Sequence, residues 1–383
     1  MSTETNTVVS LDIENTAEAF SLKIAFDLGP GITTLFGPSG AGKTMVLNAV
    51  AGLISPQAGR ISLGGRVLFD AENHINLAPD KRRIGYVFQN GRLFPHLNVE
   101  DNLVYGRRFV PDDAPTINYN EVVDVLGIRP LLARRIHDLS GGESQRVAIG
   151  RALMTSPELL LMDEPLASLD PARRQEILPF IERLRDTFNL PIIYVSHSLD
   201  EVIRLADTAV MIQDGSIVAR GEAEDILNRQ ELRPLMGLAD PTRALSAPQT
   251  ILTCKIAEHD RAFELSRLHG HGLSFWVPRL ERAIGSHLRL QIRATDVALS
   301  LDEPENTSVL NRFRGTIETL DASRPGYADV EVRMETGVAL WARVTQKSAM
   351  KLDLMTGHDV WCLVKSVAVA RGTAEPVPPS LES

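Results

Sequence analysis

Apolar and polar positions alternate from Phe20 to Leu28. Phe20, Leu22, Ile24, Phe26 and Leu28 fall on one side, the period-2 pattern of a half-buried strand. The next apolar run, "GITTLFG", reads as a fully buried strand and leads directly into "GPSGAGKT". After that loop the period lengthens: Val46, Leu47, Val50 and Leu53 recur at helical spacing, with Gly52 placed to end the helix. "GRISLGGRVLFD" predicts a hairpin turning at Gly64-Gly65, and "RIGYVFQ" a further strand. From about 98 to 155 the spacing is helical, which predicts a helical insertion. Leu159 to Met162 form a short unbroken apolar run, as expected of a central parallel strand covered on both faces. "PARRQEILPFIERLRDTF" is a helix with Asp170 as its cap and Pro171 at its first position. "PIIYVSH" is another buried strand, and "AVMIQDGSIVARG" a hairpin turning at Asp214-Gly215.

Strands alternating with helices predict an α/β domain with a largely parallel sheet, over residues 1–232. A connector follows over 233–250. From 251 to 383 the pattern changes to short strands and turns. Two stretches there align loosely, "GLSFWVPRLERAIGSHLRLQIRATDVALS" and "GVALWARVTQKSAMKLDLMTGHDVWCLVKSVAVA". The repeat predicts two small oligonucleotide-binding-like barrels, at about 251–302 and 306–371.

Composition adds exclusions. The 383 residues are 44% hydrophobic and 23% charged, which allows a substantial core. The net charge of −9 argues against a broad nucleic-acid footprint. Cys254 and Cys362, the two cysteines, lack metal-type spacing and point to a reducing compartment. The N-terminal stretch has neither a basic region nor an apolar core, so no signal peptide is expected. No apolar run approaches the roughly 18 residues that a spanning helix needs, so any membrane role requires docking on another chain.

"GPSGAGKT" satisfies the phosphate-loop pattern between a strand and a helix. The backbone of Gly37, Pro38, Ser39, Gly40, Ala41 and Gly42 can close around phosphates at a helix N-terminus. Lys43 brings a positive charge to the β and γ phosphates, and Thr44 a hydroxyl for Mg²⁺. Asp163 emerges at the carboxyl edge of the sheet, where open α/β sheets bind ligands, and can hold Mg²⁺. Glu164 is placed to polarise a water. Gln89 and His197 each end a core strand on the same edge.

"LSGGESQR", residues 139–146, poses a second question. Ser140 and Glu143 form a capping box, sufficient by itself to start a helix. Gly141 and Gly142 leave the first-turn N–H groups open to an outside anion. One compact domain would struggle to fold this helix end over its own phosphate loop. A second copy of the chain could place it there.

These residues resemble the ATP-binding cassette (ABC) ATPases. Walker A matches Gly37 to Thr44, the Q-loop Gln89, and the signature Leu139 to Arg146. Walker B and the catalytic carboxylate match Leu159 to Glu164. The D-loop matches Ser168, Leu169 and Asp170, and the switch histidine matches His197. The resemblance implies ATP and Mg²⁺ as cofactors, with Glu164, His197 and Gln89 catalytic and Thr44, Gln89 and Asp163 around the metal. It implies nucleotide contacts from Ser140, Gly141, Gly142, Glu143 and Asp170, supplied across a homodimer. Phe20 is the candidate for stacking on adenine. More narrowly, "GYVFQNGRLFPHLNVEDNLVYG", "YVSHSLDEVIRLAD" and "IRATDVALSLDEPENTSVLN" resemble the ATPase subunits of bacterial molybdate importers. That subgroup implies a peripheral protein on the cytoplasmic face of the inner membrane. Its partners would be two permease subunits and, indirectly, a periplasmic binding protein. Thr307, Ser308, Lys365 and Ser366 fall on stretches similar to molybdate-binding β domains, although Leu310 stands before Asn311 where an arginine is common. An importer for sulfate or another solute, a non-transport cassette ATPase, and an oxyanion sensor or buffer with a vestigial ATPase are the alternatives.

Overall fold

A computed structural model describes residues 8–17, 20–110, 116–236 and 247–365. It divides into two units, 1–226 and 227–383. Much of the 233–250 connector, and Ser366 with it, lies outside the described residues.

The first unit is built on one 11-stranded sheet. Its strands are β1 (Val9–Ala17), β2 (Phe20–Leu28), β3 (Ile32–Phe36), β4 (Ala58–Leu63), β5 (Arg66–Asp70), β6 (Ile75–Asn76), β7 (Ile84–Val87), β8 (Leu159–Asp163), β9 (Ile192–Val195), β10 (Thr208–Gln213) and β11 (Ser216–Glu222). The order is β6-β5-β4-β1-β2-β11-β10-β3-β9-β8-β7. From β10 to β7 every neighbouring pair is parallel, and from β6 to β2 every pair is antiparallel. β3, β8 and β9 are buried along nearly their whole length, which is why they read as unbroken apolar runs. β2 keeps the alternation seen in the sequence: Leu22, Ile24, Phe26 and Leu28 are buried and the residues between them exposed. Strand β1, not among the expected elements, alternates in the same way, with Val9, Leu11 and Ile13 buried.

Helix α1 (Lys43–Ala51) follows β3 and buries Val46, Leu47 and Val50. Gly52 ends it in the left-handed region, so Leu53, read as part of its apolar face, lies past the end and is 50% exposed. The helical region contains α2 (Val99–Val104), α3 (Tyr119–Val125) and α4 (Gly141–Leu153). Helices α5 (Pro171–Phe188), α6 (Leu199–Leu205) and α7 (Ala223–Asn228) come after it. Among the described residues no helix is long and apolar enough to cross a membrane.

Arg82 secures the far end of α1. Its side chain is 0% exposed and donates to the carbonyls of Ala49, Val50 and Leu77 and to Asn76 Oδ1, all at 2.8 to 2.9 Å. The last carbonyls of a helix lack internal partners, and here the guanidinium supplies them. Gly52 must be glycine for the same reason, because a Cβ there would meet the guanidinium at 2.6 Å. Arg82→Met takes this donor from the buried Val50 carbonyl and leaves the Ala49 carbonyl with the Gly52 N–H. The expected loss is on the order of 3 kcal/mol, read as a lower midpoint in urea with an unchanged slope.

The second unit holds two sheets. One is β14-β13-β12-β15, from β12 (Gln249–Asp260), β13 (Leu265–Gly270), β14 (Leu273–Pro278) and β15 (His287–Arg293). The other is β16-β20-β17-β18-β19, from β16 (Val297–Ser300), β17 (Asn311–Asp321), β18 (Tyr327–Met334), β19 (Ala339–Thr345) and β20 (Asp359–Val364). The short helix α8 (Gln346–Lys351) lies between β19 and β20. The weak sequence repeat has a structural counterpart: β14-β13-β12-β15 and β19-β18-β17-β20 have the same order. Each copy also has a register shift in its first hairpin, at Ile256/Glu258 and at Ile317/Thr319. The division near 302 does not follow the hydrogen bonding, because β16, read with the first half, pairs with β20 of the second. Both sheets contribute to one apolar core, which includes Cys254 and Cys362. Asn311, buried at the start of β17, holds the N–H and C=O of Trp276 in β14 at 2.6 and 2.9 Å.

Candidate nucleotide site

The carboxyl ends of β3, β7, β8 and β9 share one edge of the parallel half-sheet, and the candidate residues gather there. Gly37, Gly40 and Gly42 have φ of 148°, 80° and 99°, values open to glycine and costly for other residues. At Gly37 a Cβ would meet the Ile212 carbonyl oxygen at 2.0 Å. α1 begins with Gly42 as its N-cap and has no side-chain cap. Its first-turn N–H groups and positive dipole end therefore suit an outside anion. Lys43 is 5% exposed and donates to the Gly37 and Pro38 carbonyls at 2.9 and 2.8 Å, holding the loop in a curl. Burial pulls its ammonium below the usual lysine range, and the Glu164 and Asp163 carboxylates oppose that shift.

Thr44 Oγ1 donates to Asp163 Oδ1 at 3.0 Å. Burial raises the Asp163 carboxyl, while hydrogen bonds from Thr44 and Tyr86 work the other way. Glu164 stands at φ +44°, unusual for a residue with a side chain. Its N–H donates to Val195 O and its carbonyl accepts from Ala167 N, both at 3.1 Å, which fixes the turn. Its Oε2 lies 3.3 Å from His197 Nδ1. Glu164 and His197 thus come together although 33 positions apart, because β8 and β9 are paired neighbours.

Two expectations need correction. Gln89 does not end its strand, since β7 stops at Val87. The chain then turns, with Gly91 N donating to Phe88 O at 2.9 Å and Phe88 stacked on Tyr86, and leaves Gln89 exposed. His197 likewise stands two residues past β9.

Ser140 caps α4: its Oγ accepts from Glu143 N at 3.3 Å, and Glu143 Oε2 accepts from Ser140 N at 2.7 Å. That backbone donor holds the Glu143 carboxyl below its usual range. Unlike α1, then, α4 has a side-chain cap. The glycines here have a second explanation that the sequence did not reveal. A Cβ on Gly141 would meet Leu169 Cδ2 at 2.9 Å, and one on Gly142 would meet Ile177 Cδ1 at 3.3 Å. Asp170 serves as N-cap of α5, accepting from Arg173 N at 3.1 Å. Ser140, Gly141 and Asp170 remain exposed.

Sequence reasoning missed Tyr86 and Arg151. The Tyr86 hydroxyl lies 3.3 Å from Asp163 Oδ2 and 3.1 Å from Asn48 Oδ1, between α1 and β8. Burial and the neighbouring Asp163 push its phenol upward. Arg151 of α4 donates to the Gly91 and Arg92 carbonyls at 2.9 and 2.7 Å, tying the segment after Gln89 to the helix that Ser140 caps. A polar residue within a strand or helix gives no sign in sequence of which distant backbone it meets. Phe20 packs its ring edge against Gly42, beside the phosphate loop.

In the second unit, Thr307 and Ser308 precede β17, and Lys365 follows β20. Asn311 pairs with Val364, so both segments leave the sheet at one end. All three residues are exposed, and Thr307 Oγ1 accepts from Val309 N at 3.2 Å.

Residues 22–167 match the ABC transporter family, and residues 307–370 match the TOBE domain. A solved structure, cbiO1 from Clostridium perfringens, part of the ABC transporter complex cbiONQ, shares the fold. Its TM-score is 0.51 at 23% identity, over 61% of this chain and 96% of that one. The molybdenum import ATP-binding protein ModC of Paramagnetospirillum magneticum is 43% identical over 95% of this chain and 98% of its own length. The ModC of Mesorhizobium japonicum is 45% identical over 95% of this chain and 96% of its own. That of Rhodospirillum rubrum is 43% identical over 95% and 98%. The chain therefore belongs to the ABC transporter ATP-binding proteins, within the family of molybdenum import ATP-binding proteins.

Proposed function

We propose that this chain is the ATP-hydrolysing subunit of an importer that takes up molybdate through partner permease subunits. The observation that carries the reading is identity of 43% to 45% with molybdenum import ATP-binding proteins along 95% of the chain. It is joined to a site whose charged groups converge on one sheet edge.

The residues fit the reaction. Gly37 to Thr44 wrap the triphosphate with backbone N–H groups, and Lys43 turns its ammonium toward the β and γ oxygens. Thr44 and Asp163, 3.0 Å apart, would hold Mg²⁺ through their oxygens, and Gln89 would join them as a further ligand. When bound, Mg²⁺ neutralises charge on the phosphate oxygens. Glu164 orients the attacking water and accepts its proton, and His197 faces the γ-phosphate. The exposed end of α4, with Ser140, Gly141, Gly142 and Glu143, reaches the nucleotide of a second copy, and Asp170 lies at the same junction. Closure follows because the closed pair binds ATP better than ADP, the only way a ligand can shift such an equilibrium. The protein works at the cytoplasmic face of the inner membrane, against two permease subunits that receive substrate from a periplasmic binding protein. Thr307, Ser308, Lys365 and Ser366 are the candidate residues for holding molybdate or tungstate, through which the second unit would sense cytoplasmic oxyanion.

The test is uptake into vesicles that contain the permease, this chain and ATP inside, with the binding protein outside. Molybdate enters and sulfate does not, and omitting this chain stops entry. Uptake of sulfate in preference to molybdate would overturn the substrate assignment.

A further inference from the structure

Beyond the residues just assigned, α6 carries a carboxylate with no role in the scheme. Glu201 is 4% exposed. Burying a charge is costly unless hydrogen bonds and an opposite charge offset it. Its Oε2 accepts the Tyr194 hydroxyl at 2.8 Å and the Ser196 hydroxyl at 2.7 Å. Ser196 Oγ in turn accepts from Ser198 N at 3.0 Å. The turn carrying His197 is therefore fastened on both sides of the histidine. The other oxygen, Oε1, faces Arg174 Nη1 at 4.0 Å. Arg174 lies in the first turn of α5, and its other two nitrogens bond the turn after β8. Nε donates to Leu169 O at 2.8 Å, and Nη2 to Ala167 O at 3.2 Å. Leu169 is the residue whose side chain lies against Gly141 at the head of α4. A continuous set of contacts thus runs from the Gly141 end of α4, through Leu169, Arg174 and Glu201, to Ser196 and His197.

We infer that Arg174 and Glu201 are positioning residues that link the seating of the Ala167–Asp170 turn to the placement of His197 beside Glu164. The inference rests on the reading of Glu164 and His197 as the hydrolytic pair. It adds a route by which the segment facing a second cassette governs that pair within one chain. Tyr194 and Ser196 alone could be satisfied by a neutral acceptor. A buried negative charge is needed only where Arg174 must be held.

Glu201→Gln keeps the volume and an acceptor for both hydroxyls but removes the charge facing Arg174. In steady-state ATPase assays of the full chain, kcat falls about tenfold while KM for ATP stays within about twofold. Arg174→Met gives a similar split. The double variant is no slower than the worse single variant, because both act through one link. Losses that multiply in the double variant, or a kcat unchanged in both singles, would overturn the inference. Should Glu201→Gln fail to fold, Ser196→Ala cuts the same link nearer the histidine. It too must lower kcat with KM held, and an unchanged kcat there overturns the inference. Glu164→Gln in the same assay separates the two levels. If it hydrolyses ATP at the parent rate, the hydrolytic reading itself fails. If it is inactive while the Arg174 and Glu201 variants match the parent, only the positioning role fails.

Discussion

Glu164→Gln is expected to cut steady-state ATP hydrolysis by about a hundredfold or more while leaving ATP binding intact. The reason is local. The backbone of Glu164 is set by its N–H to Val195 and its carbonyl to Ala167, neither of which involves the side chain. Glutamine keeps the size and the contact toward His197, 3.3 Å away, but cannot accept a proton from water. It also removes one negative charge from the edge where Asp163 and the triphosphate already place several, so nucleotide affinity holds or rises. With hydrolysis blocked, the ATP-bound state persists, and size-exclusion chromatography at saturating ATP should show a dimer. A variant that remains monomeric with ATP, both alone and with its permease, would end the two-chain reading of the site.

Ser140→Arg tests the other half of that site and is expected to have a comparable effect on turnover. Removing the cap costs α4 about 1 kcal/mol, too little to unfold the domain. The larger consequence is at the exposed helix end, where a long cation replaces a small hydroxyl on the face proposed to meet the second chain's nucleotide. Hydrolysis should fall by roughly a hundredfold, whereas binding of ATP to the separate chain should stay within about twofold, because the phosphate loop is untouched. Combined with Glu164→Gln, Ser140→Arg should abolish the ATP-dependent dimer. Normal turnover in the Ser140→Arg variant would show that α4 makes no contact with nucleotide.

The glycines of the signature illustrate how one feature can have two causes. In sequence, Gly141 and Gly142 read as openings for an anion. In the structure they also let Leu169 and Ile177 pack against the start of α4. The two readings are compatible, since Gly141 stays exposed despite that packing. A substitution at either glycine would therefore disturb packing and recognition together. Ser140, which lies outside that packing, is the cleaner probe.

Much of the fold and site was legible in the residue pattern. Period-2 alternation gave β2 because one face of that strand is wet. Unbroken apolar runs gave β3, β8 and β9 because both faces are covered. Asp170-Pro171 and Gly52 marked helix ends by backbone chemistry that acts within a few residues. The phosphate loop, Asp163 and Glu164 were proposed on the same local ground, their position next to a strand end, which the structure shares. The faint C-terminal repeat could also be read, because each copy repeats one strand order. Tertiary structure alone decided the rest. It paired β16 with the far half of its domain, set Tyr86 against Asp163, seated Arg82 under α1, and joined Arg174 to Glu201. Those contacts span from 27 to more than 60 positions. A side chain's local neighbours do not encode which remote carbonyl or carboxylate the folded sheet will bring to it, so only the folded chain reveals them.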